Sequence, residues 1–185
     1  ITKERNKYVS FSKPHFNSHQ VLVQRKPEGW RQMTLDAIND SLIRNPVDLI
    51  GKKVFVLAGS SFETRMRHLS EEIGGDILIQ PDTTSTESES LIRRVATGEI
   101  PYTIADHMIA RVNASYYPDL DINTPVSVAQ QVGWATRQNA PKLLKAMNEW
   151  LASVKREATF MVIYNRYFKR QRTSLVKIKN EYSSM

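Results

Sequence analysis

Four residues carry chemistry by type and position: Arg5, Ser60, Ser61 and Asp106. Arg5 lies in "ITKER", and a guanidinium can grip a carboxylate through two parallel hydrogen bonds. Ser60 and Ser61 lie in "FVLAGSSFETRM" (55–66), where an apolar run stops at a small-residue turn and a helix begins at once. The first N–H groups of a helix have no intrahelical acceptor, so with two hydroxyls beside them they suit an anion. Asp106 ends "PYTIAD", where a carboxylate would face the same crevice and could hold an ammonium. Each has a plainer reading. An Arg near a chain start is usually just solvated. Ser60-Ser61-Phe62-Glu63 is also a capping box, with Glu63 reaching back to the cap residue. Asp106 is also an ordinary helix cap.

Other chemistries find little support. There is no GxxxxGK[ST] and no GxGxxG, so neither standard phosphate cradle is present. No GxSxG occurs, and without Cys there is no Cys–His pair, no disulfide and no thiolate metal site. The four His are scattered, with no HExxH spacing, so no metal and no other cofactor is expected. Asp and Glu are plentiful, but nothing singles out a pair for glycoside cleavage. The net charge of +7 could mean nucleic acid, an anionic surface, or nothing. Much of the excess sits in "KRQRTSLVKIKNEYSSM" (169–185), which reads as a solvated linker. No aromatic–basic interleaving accompanies it, so no nucleic-acid partner is expected.

The elements that would position these residues follow from periodicity. "QVLVQRK" reads as a strand, "PEGW" (27–30) as a turn and lobe boundary, and 34–44 as a short amphipathic helix capped by Thr34 or Asp36, with Leu35, Ile38, Leu42 and Ile43 inward. Strands at 53–58, 76–80 and 101–105 then alternate with helices. The first helix, at about 61–73, turns Phe62, Met66, Leu69 and Ile73 to one side and ends at Gly74-Gly75. The second carries Leu91, Ile92 and Val95, and the third starts at Asp106. Such alternation implies βαβ units, a parallel sheet and helices on both faces. Ligands of such sheets sit at the carboxyl ends of the strands, where Ser60, Ser61 and Asp106 lie. Residues 120–137 hold two extended runs. "NAPKLLKAMNEWLASV" is a clear helix, with Asn139 as cap, Pro141 in its first turn, and Leu143, Leu144, Met147, Trp150, Leu151 and Val154 as one stripe. Residues 158–168 form another.

Taken together, "ITKER…FSKPHF…VLVQRK…LIGKKVFVLAGSSFE…LIRRVATGEIPYTIAD" resembles a type II periplasmic solute-binding protein of the amino-acid-binding kind. "RKPEGW", "LIRNPVDLIGKKVFV", "EEIGGDI", "VNASYYPDLDI" and "VIYNRYF" resemble more narrowly the N-terminal regulatory module of the membrane-bound lytic murein transglycosylase F family. The likeness spans residues 1 to about 168. It implies an α/β periplasmic-binding-protein type II lobe, a parallel-rich sheet with helices on both faces, beside an incomplete first lobe. On that basis 1–28 is a remnant of lobe 1, 29–125 a complete lobe 2, 126–168 the return segment and C-terminal helices of lobe 1, and 169–185 a basic linker.

The resemblance also assigns roles. Arg5 stands where the family's "ITxxR" arginine clamps a ligand α-carboxylate, Ser60 and Ser61 where small hydroxyl residues meet that carboxylate, and Asp106 where an aspartate holds the α-ammonium. The expected ligand is a peptidoglycan-derived peptide or an amino acid, bound without catalysis. A catalytic domain is expected downstream in the parent chain. Self-association through the incomplete lobe is expected too, since it would leave apolar faces uncovered. The family implies the periplasm, with the parent at the outer membrane. An amino-acid receptor of a membrane permease is the alternative. The absence of an initiator Met reads as the mark of a fragment.

Overall fold

A computed structural model describes residues 5–166 of the 185. In chain order these form β1 (Val9–Phe11), β2 (Phe16–Ser18), β3 (Gln20–Arg25), α1 (Leu35–Asp40), β4 (Lys53–Leu57), α2 (Ser61–Ile73), β5 (Leu78–Asp82), α3 (Ser88–Thr97), β6 (Tyr102–Asp106), α4 (His107–Ala114), β7 (Leu120–Pro125), β8 (Gln130–Val132), β9 (Ala135–Arg137), α5 (Pro141–Val154) and α6 (Ala158–Tyr164). They divide into two compact units: 19–128, and 5–18 with 129–166.

The unit of residues 19–128 holds one five-stranded sheet in the order β5-β4-β6-β3-β7. β4 runs parallel to β5 and β6, whereas β3 is antiparallel to β6 and β7. The sheet is therefore mixed, parallel on one side and antiparallel on the other. Alternation along the strands feeds two cores. Leu22, Val54, Val56 and Ile104 point to the face where Met66 and Leu69 of α2 pack. Val21, Val23 and Ala105 point to the opposite face, against Leu91, Ile92 and Val95 of α3 and Ala110 of α4. Helices thus cover both faces, and each fully buried aliphatic side chain contributes about 1.5–3 kcal/mol.

The sequence reading placed residues 1–28 in the first lobe. The structure instead puts β3 next to the centre of the second unit's sheet, with Gln20 to Gln24 all buried. The unit also extends past 125. Val126 is buried, and its N–H donates to Gln20 O at 2.9 Å.

The helix expected over 34–44 stops at Asp40. Its Thr34 cap forms as expected, but Leu35 is 79% exposed. The cause is Gln24, whose side chain is buried in the sheet. Its Nε2 donates to Ile43 O at 2.9 Å and its Oε1 accepts from Ile43 N at 3.0 Å. Both backbone groups of Ile43 are thereby removed from any helix. Arg44 then donates from Nη1 and Nη2 to Asp121 at 2.6 and 3.0 Å, and Thr124 Oγ1 donates to Ile43 O at 2.6 Å. β5 begins two residues later than expected. Ile77 N donates to Ser70 Oγ of α2 at 2.9 Å, and Gly51 N donates to Asp76 O at 2.8 Å, so 76–77 close the helix–strand turn. Pro81 is tolerated because β5 is an edge strand.

The other unit has two antiparallel ribbons, β1 with β9 and β2 with β8, plus α5 and α6. Three short strands thus stand where two extended runs were expected over 120–137, and the last two leave the large sheet. Lys13 N donates to Asn148 Oδ1 at 2.7 Å and Lys155 Nζ donates to Pro14 O at 2.9 Å, which ties α5 to the ribbons. His15 lies 5.1 Å from Trp134, and Trp134 stacks on Trp150 at 5.7 Å. Pro141 opens α5, but the cap position is Ala140 rather than Asn139, with no side-chain hydrogen bond. Leu143 and Trp150 of the expected stripe are each 53% exposed, and Leu151 is buried. The end of the 158–168 helix and the basic 169–185 segment lie outside the described residues.

Candidate functional site

Register brings the expected turn and aspartate together. Phe55 of β4 pairs with Thr103 of β6 in parallel, so the 58–61 turn and Asp106 leave neighbouring strands at the same end. Leu57 pairs with Asp82 of β5, which adds the loop after β5 to that end. Three helix N-termini, of α2, α3 and α4, therefore meet the carboxyl edge of the sheet.

The turn at 58–61 is built around Gly59, whose φ of 68° suits a residue without Cβ. Ser60 caps α2. Its Oγ accepts from Glu63 N at 3.4 Å and donates to Leu57 O at 2.6 Å. Glu63 does reach back, but to Gly59 N at 2.8 Å rather than to Ser60 N. Ser60 N instead donates to Leu57 O at 3.3 Å. Arg67 and then the Gly59 N–H hold the Glu63 carboxyl below its usual range. The one hydroxyl proton of Ser60 is therefore already engaged inside the turn. Ser61 is exposed, and its hydroxyl makes no hydrogen bond among the described residues. Of the two hydroxyls, Ser61 is the one free to donate to a ligand. The N–H groups of Ser61 and Phe62 belong to the first-turn set that has no intrahelical acceptor.

Asp106 caps α4, with Oδ1 accepting from Met108 N at 2.9 Å. Its Oδ2 accepts no bond among the described residues. Beside it, His107 N donates to His19 O at 2.8 Å and the two imidazoles stack at 4.6 Å, 17° apart. Burial, then the neighbouring His19 and Arg111, lower the His107 pKa, and Asp106 opposes them. This stack had no sequence signal, because residues 19 and 107 meet only through β3–β6 pairing.

Asp82 was also missed. Its Oδ1 accepts from Thr84 Oγ1 at 2.6 Å and Thr84 N at 2.8 Å, and its Oδ2 from Ser85 Oγ at 2.9 Å and from Arg94. The Thr84 hydroxyl and N–H, with Ser85, hold this carboxyl far below the usual range against the opposing effect of burial. "DTTS" is an Asx-type turn signal that could have revealed it. The cluster satisfies itself and orders the loop at the sheet's carboxyl edge. Among the described residues no group of three His, Asp or Glu is arranged to hold a metal. Arg5 sits in the other unit, exposed, in a short 3-10 helix over Arg5–Lys7.

Residues 1–170 match the sequence profile of the bacterial extracellular solute-binding proteins, family 3. The chain belongs to that family. A family 3 fold is a binding module rather than a catalytic one. Among curated relatives, a membrane-bound lytic murein transglycosylase F of Desulfosudis oleivorans is 32% identical over 90% of this chain, which covers 34% of that protein. One of Methylobacillus flagellatus is 25% identical over 91% of this chain and 33% of its own length. The chain thus spans about a third of the curated relatives it matches.

Solved structures of amino-acid-binding proteins agree in fold. A mutant of ArgBP from T. maritima superposes with a TM-score of 0.70 at 27% identity, over 92% of this chain and 66% of that one. An ancestral arginine-binding protein bound to arginine gives 0.69 at 25% identity, over 91% and 68%. Among the described residues no helix is long and apolar enough to cross a membrane.

Proposed function

We propose that this family 3 chain is a non-catalytic sensor module of a lytic murein transglycosylase-like parent, and that it binds an amino-acid-like ligand or a peptidoglycan stem peptide. The observation that carries the reading is the β4–β6 register, with the 58–61 turn and Asp106 at one end of adjacent parallel strands. The ligand's carboxylate meets Ser61 and the first N–H groups of α2, where a helix end favours an anion by about 0.3–1 kcal/mol. Its ammonium meets Asp106 Oδ2. Ser60 shapes the turn. Binding then biases a catalytic domain of the parent, which requires a ligand that prefers one arrangement of the module, since equal affinity shifts nothing. The parent's place in this reading is the periplasmic side of the outer membrane.

A transport receptor for a free amino acid is the second reading, favoured by the arginine-binding structural neighbours. Calorimetric titration of the chain with a stem tetrapeptide and with free amino acids separates the two. Peptide binding that is lost in both Asp106→Asn and Ser61→Ala supports the sensor. Tight binding of one free amino acid with no peptide binding replaces it by the receptor. Peptide binding indifferent to both substitutions moves the site elsewhere and sinks the residue roles.

A further inference from the structure

Gln20 opens β3 directly across from Asp106, the last residue of β6. Its N–H donates to Ser127 Oγ at 2.8 Å, and its carbonyl accepts from Val126 N at 2.9 Å. Both backbone groups thus turn away from β6. Gln20 and Asp106 are therefore a non-hydrogen-bonded antiparallel pair, the kind whose side chains stand closest, with Cα atoms about 4.5 Å apart. Alternation fixes their face. Gln20 shares it with Leu22, and Asp106 shares it with Ile104. Leu22 and Ile104 belong to the core that Met66 and Leu69 of α2 close, so the pair lies on the face that α2 covers.

Gln20 is 7% exposed, and its Oε1 is buried with no hydrogen-bond partner among the described residues. Gln24, two side chains along the same face, shows the contrast. Its Oε1 accepts from Ile43 N and its Nε2 donates to Ile43 O. The chain satisfies one buried glutamine and leaves the other open. An unpaired buried acceptor destabilises the fold that holds it, so an orphan of this kind calls for a reason. Asp106 has an unfilled oxygen too, since Met108 N takes only Oδ1. Two residues with unfilled acceptors thus face each other across one strand pair at the carboxyl edge.

We propose that Gln20 is a ligand-binding residue, the second acceptor for a primary ammonium group held by Asp106. The proposal rests on the reading of Asp106 as the ammonium's partner. An ammonium carries three N–H donors. One goes to Asp106 Oδ2 and a second to Gln20 Oε1, which the broad terminal torsion of glutamine lets turn to meet it. An acylated amine has one N–H and no charge, so it cannot fill both acceptors. The ligand class is thereby narrowed to one with a free primary amine.

A stem tetrapeptide and arginine, each also in its N-acetylated form, are titrated by calorimetry into the full chain, Gln20→Met and Asp106→Asn. Met keeps the length of Gln and removes the acceptor. The expected result is that Gln20→Met weakens the free-amine ligand about tenfold and leaves the weaker N-acetylated form unchanged. Thermal unfolding of the ligand-free variant should not fall, because no bond within the chain is lost. A loss caused by Asp106→Asn and not by Gln20→Met removes Gln20 and leaves the carboxyl-edge reading standing. Equal weakening of the free and acetylated forms, or a lower unfolding temperature in Gln20→Met, makes Gln20 a structural residue and overturns the proposal. If neither free-amine ligand binds, or if Asp106→Asn is without effect, the carboxyl-edge reading falls and the proposal falls with it.

Discussion

The two units divide the labour of folding unevenly. All but two of the buried apolar side chains among the described residues belong to 19–128; the exceptions are Ala140, at the cap position of α5, and Leu151 within it. The sheet unit closes two cores, one on each face. The ribbon unit rests instead on hydrogen bonds between its two chain segments and on the His15–Trp134–Trp150 ring cluster. Its apolar helix face stays open, with Trp150 at 53%, Val162 at 64% and Ile163 at 52% exposure. An amphipathic pattern records a tendency to be buried, and it needs a second surface to be satisfied. In the sheet unit that surface is the sheet itself.

The largest expected effects fall in the sheet unit and would break this contrast if absent. Leu22→Ala removes a fully buried side chain from β3 and should cost about 2–5 kcal/mol in urea unfolding. Leu143→Ala, at an exposed α5 position, should stay within about 0.5 kcal/mol. Equal losses at both would mean that the ribbon unit has a core of its own.

Next comes the ion pair, buried at Asp121, that ties residues 43–44 to β7. Asp121 is 3% exposed. Burial would raise its pKa, but hydrogen bonds from Arg44 and Asn123 outweigh that and the pKa is lowered. A carboxyl lowered in the folded state contributes stability that is present above its unfolded value, near 4. That contribution is lost as pH falls through the folded value. Asp121→Asn should therefore cost about 1.5–3 kcal/mol at neutral pH by removing the charged acceptor of Arg44, and should flatten the fall in stability below about pH 4. An unchanged acid limb of the unfolding profile would count against the pairing.

How much of this was open to sequence reading depends on how far the deciding contact lies along the chain. α2, with its Ser60 cap and Gly74 stop, was readable because each signal acts within four residues. The carboxyl-edge grouping of the 58–61 turn with Asp106 followed from βαβ alternation. The antiparallel insertion of β3 between β6 and β7 did not, since strand pairing carries no local mark of direction. The early end of α1 was hidden for the same reason: Gln24 competes for Ile43 across 19 residues of chain. The Ser60–Ser61 distinction needed coordinates, because both hydroxyls look alike in sequence and only one turns back to Leu57 O.

That distinction sharpens the comparison on a smaller scale, between structure and ligand within one turn. Ser60→Ala removes the cap and should lower stability by about 1 kcal/mol. Ser61→Ala should leave stability within about 0.5 kcal/mol and act on ligand affinity instead. Thermal unfolding of both variants beside a ligand titration checks the pair. The same stability loss for both would make Ser61 a second structural hydroxyl and remove it from the site.

A modest effect on folding is expected at Trp150, and it is the most informative about the ribbon unit. Its ring stacks on Trp134, an interaction of about 0.5–1.5 kcal/mol, while half its surface faces solvent. Trp150→Ala should therefore cost no more than about 1 kcal/mol, although the same truncation in a core costs about 3–5. An open face that includes Trp150, Val162 and Ile163 is also a surface for association between copies. Sedimentation of the full chain at rising concentration should show larger species, and Trp150→Ala should shift the onset to higher concentration. If the chain stays monomeric throughout, solvent alone satisfies that face, and the weak core of the ribbon unit is not linked to self-association.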